Sequence, residues 1–257
     1  DDMEELPELE DIPLSITILI GNGVGITNDA TEDDPLDKVL NDNNVPQIWR
    51  DRIRNEGGSR KTRIQQSKDE NHLGMGYLLQ FGNFRYWFGG DLTSAQEDAL
   101  TDRIGRLSVL KAGHHGSHSS TSIRFLAETQ PRVVTVSTAT DWNDNVQLPH
   151  VETLDRINDC PSVLWAFFTG MSIPEDIRPD FIPGPLDPFD VNRKFQVAGT
   201  ERNASSEILL LITEEQAQEE EPPFAISYME SNTRSPLKRD RGDDGGRVGV
   251  IVKKRRL

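Results

Sequence analysis

"LSVLKAGHHGSHSS", residues 107–120, runs a short apolar stretch into a loop that holds three of the chain's five histidines. LSVLKA has the length and the β-branched, apolar character of a buried strand. Gly113 ends it, and His114, His115 and His118 follow at once. Histidine is the commonest metal ligand and the usual proton shuttle near neutral pH. An ordinary solvated loop can have the same His-Gly-Ser composition, so the flanking sequence has to decide.

Upstream, YLLQF (77–81) and FRYWF (84–88) are strand-like runs around Gly82-Asn83, a good two-residue hairpin turn. The second runs into Gly89-Gly90-Asp91. Ser94 with Glu97 then matches a capping box, and Ala95, Ala99, Leu100 and Ile104 give one apolar helical face before Gly105. Downstream come a helix over 121–128, Pro131, the strand RVVTVST (132–138) and the loop ATDWNDNVQLPH (139–150). A helix near 151–157 and the strand SVLWAFF (162–168) complete the series. Strands alternating with helices predict an α/β layered fold. Asp91, His114 and His115 each follow the C-terminal end of a predicted strand, and His150 lies in the loop after another. Layered α/β folds place their ligand sites there. One carboxylate and several imidazoles on a single rim suit Zn2+ or Mn2+.

The outer regions are less patterned. LSITILI (14–20) predicts a buried strand, and 21–71 is a long polar stretch with one short helix around 46–54. Residues 171–190 are Pro-rich and read as an irregular connection. EILLLI (207–212) and FAISYM (224–229) predict a strand pair joined by a solvated acidic run, 214–221. The expected organisation is a strand plus polar insertion (1–76), the patterned region (77–170), a connection with the closing strand pair (171–233), and a basic tail (234–257). The tail has a disordered composition, with a short strand at VGVIV.

Charge narrows the partners. The net charge is −15, but 234–257 carries nine Lys/Arg against three Asp, so the tail holds +6 and the remainder −21. A body so acidic does not hold a nucleic-acid backbone by its general surface, because phosphate attraction dominates that affinity. Nucleic acid or a nucleotide as substrate then needs a local basic groove, a metal or the tail. Cys160 is the single cysteine, which excludes an intrachain disulfide and a Cys-based zinc knuckle. The acidic start lacks a basic signal-peptide region, and no apolar run approaches the roughly 20 residues that span a bilayer. A cytoplasmic protein with no membrane segment is expected. The chain begins at Asp1 rather than Met, as a processed or cut product does.

The ordered set FRYWFGGDL, LSVLKAGHHGSHSS, the helix, Pro131, RVVTVST and LPHVETLDRI resembles the metallo-β-lactamase-fold hydrolase domains related to ComEC-type competence proteins. Gly90-Asp91 matches that family's Gly-Asp, and His114-His115-Gly116-Ser117 its His-His-Gly-Ser. The resemblance covers residues 69–170 and includes the Asn71 strand start. It implies an αββα sandwich, of which this chain holds the C-terminal half. The N-terminal half would be incomplete or cut, or supplied by a partner subunit. It also implies a metal-dependent hydrolase of phosphodiester or related ester bonds using one or two Zn2+ or Mn2+ ions.

By that resemblance Asp91 is a metal ligand, and His114 or His115 is a ligand or the proton donor to the leaving group. Adjacent side chains leaving a strand diverge, so the sequence leaves open which of the two points inward. Two departures stand out. The family's His-x-His-x-Asp-His motif has no counterpart, since residues 1–68 contain no histidine. Its Gly-His-Pro loop reads Gln147-Leu148-Pro149, so His150, two positions on, is the nearest imidazole for the metal. His118 reads as a solvated loop residue and His72 as structural. With Asp91, one of His114/His115 and His150 as ligands, the 257 residues alone are expected to hold fewer than one tightly bound ion. The competing reading is a degenerate, non-catalytic scaffold or partner subunit of the same fold.

Overall fold

The patterned region becomes strands and helices close to where its apolar runs place them. In the computed structural model the described residues are 12–21, 24–25, 35–56, 73–138, 148–169, 195–197, 206–221, 225–230 and 248–253. Strands β1 (Leu14–Gly21) and β2 (Val24–Gly25) precede helices α1 (Pro35–Asn41) and α2 (Gln47–Glu56). The hairpin β3 (Gly76–Phe81) and β4 (Phe84–Phe88) leads to α3 (Ser94–Ile104), β5 (Val109–Lys111) and a 3-10 turn at Gly113–Gly116. Next are α4 (Ile123–Thr129), β6 (Val133–Val136), α5 (Val151–Asp159), β7 (Trp165–Phe168) and β8 (Phe195–Val197). The chain closes with β9 (Ser206–Thr213), α6 (Glu214–Ala217), β10 (Ala225–Glu230) and β11 (Val248–Lys253).

The fold is mixed α/β, as the alternation predicts. One eight-stranded sheet runs in the order β2-β1-β3-β4-β5-β6-β7-β8. β1 to β4 pair antiparallel, and β4 to β8 pair parallel in sequence order. Because each parallel strand is laid beside its predecessor, right-handed crossovers put α3, α4 and α5 on one face. The other face needs a different cover. A three-stranded sheet supplies it, in the order β10-β9-β11, with β10 antiparallel and β11 parallel to β9.

The period-2 alternation of the strands separates two cores. Leu78, Trp87, Leu110, Val134, Val136, Ala166 and Phe168 face the helices and pack with Leu100, Ile104, Phe125, Leu126, Leu154 and Ile157. Their neighbours Phe81, Phe84, Tyr86, Val109, Val133 and Phe167 face the small sheet and meet Ile208, Leu210, Ile212 and Ala217. The Tyr86 hydroxyl and Thr135 Oγ1 satisfy each other at 2.9 Å in this second layer. Each fully buried large side chain contributes about 1.5–3 kcal/mol. The result is a layer of helices, a large sheet and a small sheet.

Two expectations change on contact with the structure, and two gain detail. LSITILI is a strand, but only Leu19 and Ile20 are buried, while Leu14, Ile16 and Ile18 are exposed. Their register partners are Phe81, Leu79 and Tyr77, so they face the small sheet's side. Among the described residues of this edge, the inter-sheet core takes in Leu79 and Ile12 but not Leu14, Ile16 or Ile18. The polar stretch 21–71 holds β2 and α1 besides the expected helix, with Leu36 and Val39 in the helix-side core. The acidic run 214–221 is solvated as expected, with Glu215, Glu219, Glu220 and Glu221 exposed, and is pinned at one point: Ala217 lies in the inter-sheet core, and the capping-box contact between Thr213 and Gln216 starts α6. The VGVIV strand lies beside β9 and extends to Lys253. His72, Asn71, Gln147, the Pro-rich 171–190 and the basic residues 234–247 and 254–257 lie outside the described residues. No helix among the described residues is long and apolar enough to cross a membrane.

Candidate functional site

Parallel strands in sequence order bring their C-terminal ends to one rim, and four turns meet there. Gly89-Gly90-Asp91 leaves β4, and Gly113–Gly116 leaves β5. Ser137 and Thr138 leave β6, and Leu148-Pro149-His150 leads into α5. The turns are tied to one another. The His114 amide donates to the Gly90 carbonyl at 2.8 Å, and the His150 amide to the Gly116 carbonyl at 3.0 Å. The Ser94 amide donates to the Ser119 carbonyl at 2.7 Å.

The turn after β5 is wound the wrong way for ordinary residues. His114 sits at φ 44°, ψ 47°, and His115 at φ 53°, ψ 25°. Gly116 follows at φ +80°, where a Cβ would stand 2.6 Å from Pro149 Cβ. Left-handed conformations at non-glycine residues cost of order 1–3 kcal/mol each, and they cluster at functional sites.

Of the adjacent pair, His115 is the one brought to Asp91. Its Nδ1 lies 2.8 Å from the Ser137 carbonyl oxygen, which can only accept, so Nδ1 carries the hydrogen. Nε2 is then the basic nitrogen of the neutral ring, and it lies 3.6 Å from Asp91 Oδ1. Tetrahedral ligands at about 2.0–2.1 Å from zinc stand roughly 3.3 Å apart. The pair therefore fits two corners of such a site. An imidazole whose other nitrogen donates to a carbonyl is also the usual arrangement of a metal-binding histidine.

His114 takes a different direction, with Nδ1 3.5 Å from Ser119 Oγ. His150 is the N-cap residue of α5, and its Nδ1 accepts the His118 amide at 2.9 Å. The two rings meet, Nδ1 to Nδ1, at 3.1 Å. His118 is exposed, as a solvated loop residue is, and is also tied to the rim; the Arg156 guanidinium donates to its carbonyl at 3.0 Å. Burial lowers the His150 pKa first, and His118 lowers it further; His114 and Arg156 add in the same direction while Glu152 opposes. Among the described residues, no three His, Cys, Asp or Glu converge as a ligand group. The expected set of Asp91, His114, His115 and His150 is therefore gathered as an Asp91–His115 pair and a His118–His150 pair.

Behind the turns lies Glu97, read from the sequence only as a capping residue. The capping box is formed one residue earlier, with Gln96 Oε1 accepting the Thr93 amide at 3.1 Å. Glu97 points inward and is completely buried. Its Oε2 accepts the Thr121 amide at 2.6 Å, and burial pushes its carboxyl up to about 8. Lys111, at the end of β5, is held below the usual ammonium range by burial; Asp91 and Glu97 pull it back upward.

No protein-family model matches the chain. Among curated proteins, Recombination protein 2 of Haemophilus influenzae is similar: 27% identical over 118 residues, 46% of this chain. The chain spans 14% of that protein's length.

Proposed function

We propose that this chain is the metal-binding half of a metallo-β-lactamase-like hydrolase acting on phosphodiester or related ester bonds. The observation that carries it is the His115 ring, whose Nδ1–H is fixed by the Ser137 carbonyl while Nε2 faces Asp91. The helix–sheet–sheet layering and the ordered Gly-Asp and His-His-Gly-Ser turns support the same family. Asp91 and His115 would hold a Zn2+ or Mn2+ ion. A bound ion of this kind polarises the ester and lowers the pKa of water toward 7. Ser137 keeps the His115 tautomer. His114, left-handed and beside Ser119, would hand a proton to the leaving group. The similarity to Recombination protein 2 makes a nucleic-acid strand the first substrate to try.

The second reading is a scaffold of the same fold that has lost its metals. The absence of a three-ligand group among the described residues favours it. Mn2+ titration separates the two. For the hydrolase half, Mn2+ broadens the His115 ring resonances, and weak hydrolysis of bis(p-nitrophenyl) phosphate accompanies it. D91A weakens both by about 10–100-fold, the size seen when a supporting group of a metal site is removed. Equal broadening in D91A and the parent leaves the scaffold standing.

A further inference from the structure

We infer that Glu97 is a positioning residue: its buried side chain is a wedge between Gly89 and Gly113 that sets the spacing of the turns carrying Asp91 and His114–His115. This rests on the site proposed above. A Cβ on Gly113 would stand 2.9 Å from Glu97 Oε1, and one on Gly89 3.2 Å from the same atom. Two turns from different strands thus close on a single carboxyl oxygen, and a side chain at either glycine would press against it. The other oxygen fixes the far end of the histidine loop through the Thr121 amide. Thr121 Oγ1 returns the contact by accepting the Gly113 amide at 3.0 Å, and Ser120 Oγ donates to the Gly113 carbonyl at 2.7 Å. Residues 113–121 are therefore a closed loop whose two ends meet at Glu97.

Oε1 is buried and makes no hydrogen bond among the described residues, and the same is true of Trp87 Nε1, which would also meet a Cβ on Gly89, at 2.9 Å. A buried, unmatched carboxylate is costly, whereas a carboxylic acid is much less so. The groups facing it are Asp98, which raises its proton affinity, and Arg156 and Lys111, which lower it; burial outweighs them all. The wedge accordingly keeps its proton at neutral pH, and shape rather than charge does the positioning.

The shape-against-charge distinction makes the inference testable in the metal-free full chain, so its failure and the failure of the hydrolase reading are distinguishable. E97Q is the neutral isostere, and E97D withdraws the carboxyl by one methylene. The readout is the imidazole NMR of His114 and His115, with His118 and His150 as internal references. E97Q should superimpose on the parent at pH 7, while E97D should shift His114 and His115. Unmoved His114 and His115 in E97D, or an E97Q spectrum shifted like that of E97D, overturns the wedge. If E97D does not melt cooperatively, pH decides. The folded acid titrates near 8 against an ordinary 4.5, so the fold binds more protons than the unfolded chain in that window. Stability then falls as pH rises from 4.5 through 8. Above pH 8, where free imidazoles have finished titrating, the parent's His114 and His115 signals should move while those of E97Q stay. Identical behaviour in the two proteins overturns the inference.

Discussion

The two rims of the parallel sheet are built from the same strands, yet they hold their charged groups in opposite ways. At the N-terminal rim, a cavity of about 380 Å³ is lined by Arg85, Arg106 and Arg132 with Glu220 and Glu221. There each arginine has a counterpart. Arg85 donates to Gln80 Oε1 and to the Ile104 carbonyl, Arg106 pairs with Glu221 at 2.9 Å, and Arg132 donates to the Glu221 carbonyl. At the C-terminal rim, ring nitrogens take the place of guanidinium groups: His115 Nε2 faces the Asp91 carboxylate, and His118 and His150 share a hydrogen bond between their Nδ1 atoms, beside a turn wound left-handed at His114 and His115. One rim ties the two sheets together by pairs of opposite charge. The other gathers imidazoles and a carboxylate around a left-handed turn.

The contrast breaks most visibly at Gly116. G116A places a methyl against Pro149 on a left-handed backbone, and should cost about 2–4 kcal/mol in urea unfolding. A loss below about 1 kcal/mol would show that the turn relaxes freely and stores nothing. H114G tests the same strain from the other side. Glycine relieves the left-handed backbone but loosens the unfolded chain, so a net gain of about 1 kcal/mol is expected. A stability gain shows that the His114 backbone stores strain; a stability loss shows that the His114 ring is needed for packing. The smallest effect belongs to the opposite rim. E221A removes exposed pairs with Arg106 and Arg132, and should cost at most about 0.5–1 kcal/mol, as surface pairs do. The His115 signals should be unaffected by it.

The central strands were legible because each is an apolar or alternating run closed by glycine, proline or a polar turn. Their meeting at one rim followed from alternation alone. The start of α3 shows where reading stops. Thr93-x-x-Gln96 and Ser94-x-x-Glu97 are overlapping capping frames, and local sequence cannot choose between them. The choice is tertiary: the Thr121 amide, 24 residues away, takes the Glu97 carboxyl inward, leaving Gln96 to cap. The His118–His150 pairing spans 32 residues and depends on how α5 docks, which no spacing encodes. β8 is three residues long and too short to carry a pattern. The exposed face of β1 was misread for a similar reason, since an apolar run does not reveal how far the opposing sheet extends.

The single thiol offers a use unrelated to chemistry at the rim. Cys160 closes α5, is almost completely buried in the helix-side core, and lies 3.2 Å from Ser162 Oγ. A thiol reagent in solution reaches that sulfur only when the segment carrying α5 and β7 swings away from the sheet. Labelling kinetics then act as a built-in stopwatch for the opening of this segment, whose free energy lies between that of fraying and that of global unfolding. No engineered probe is needed, and because α5 begins at His150, the stopwatch also times how often that end of the rim comes apart.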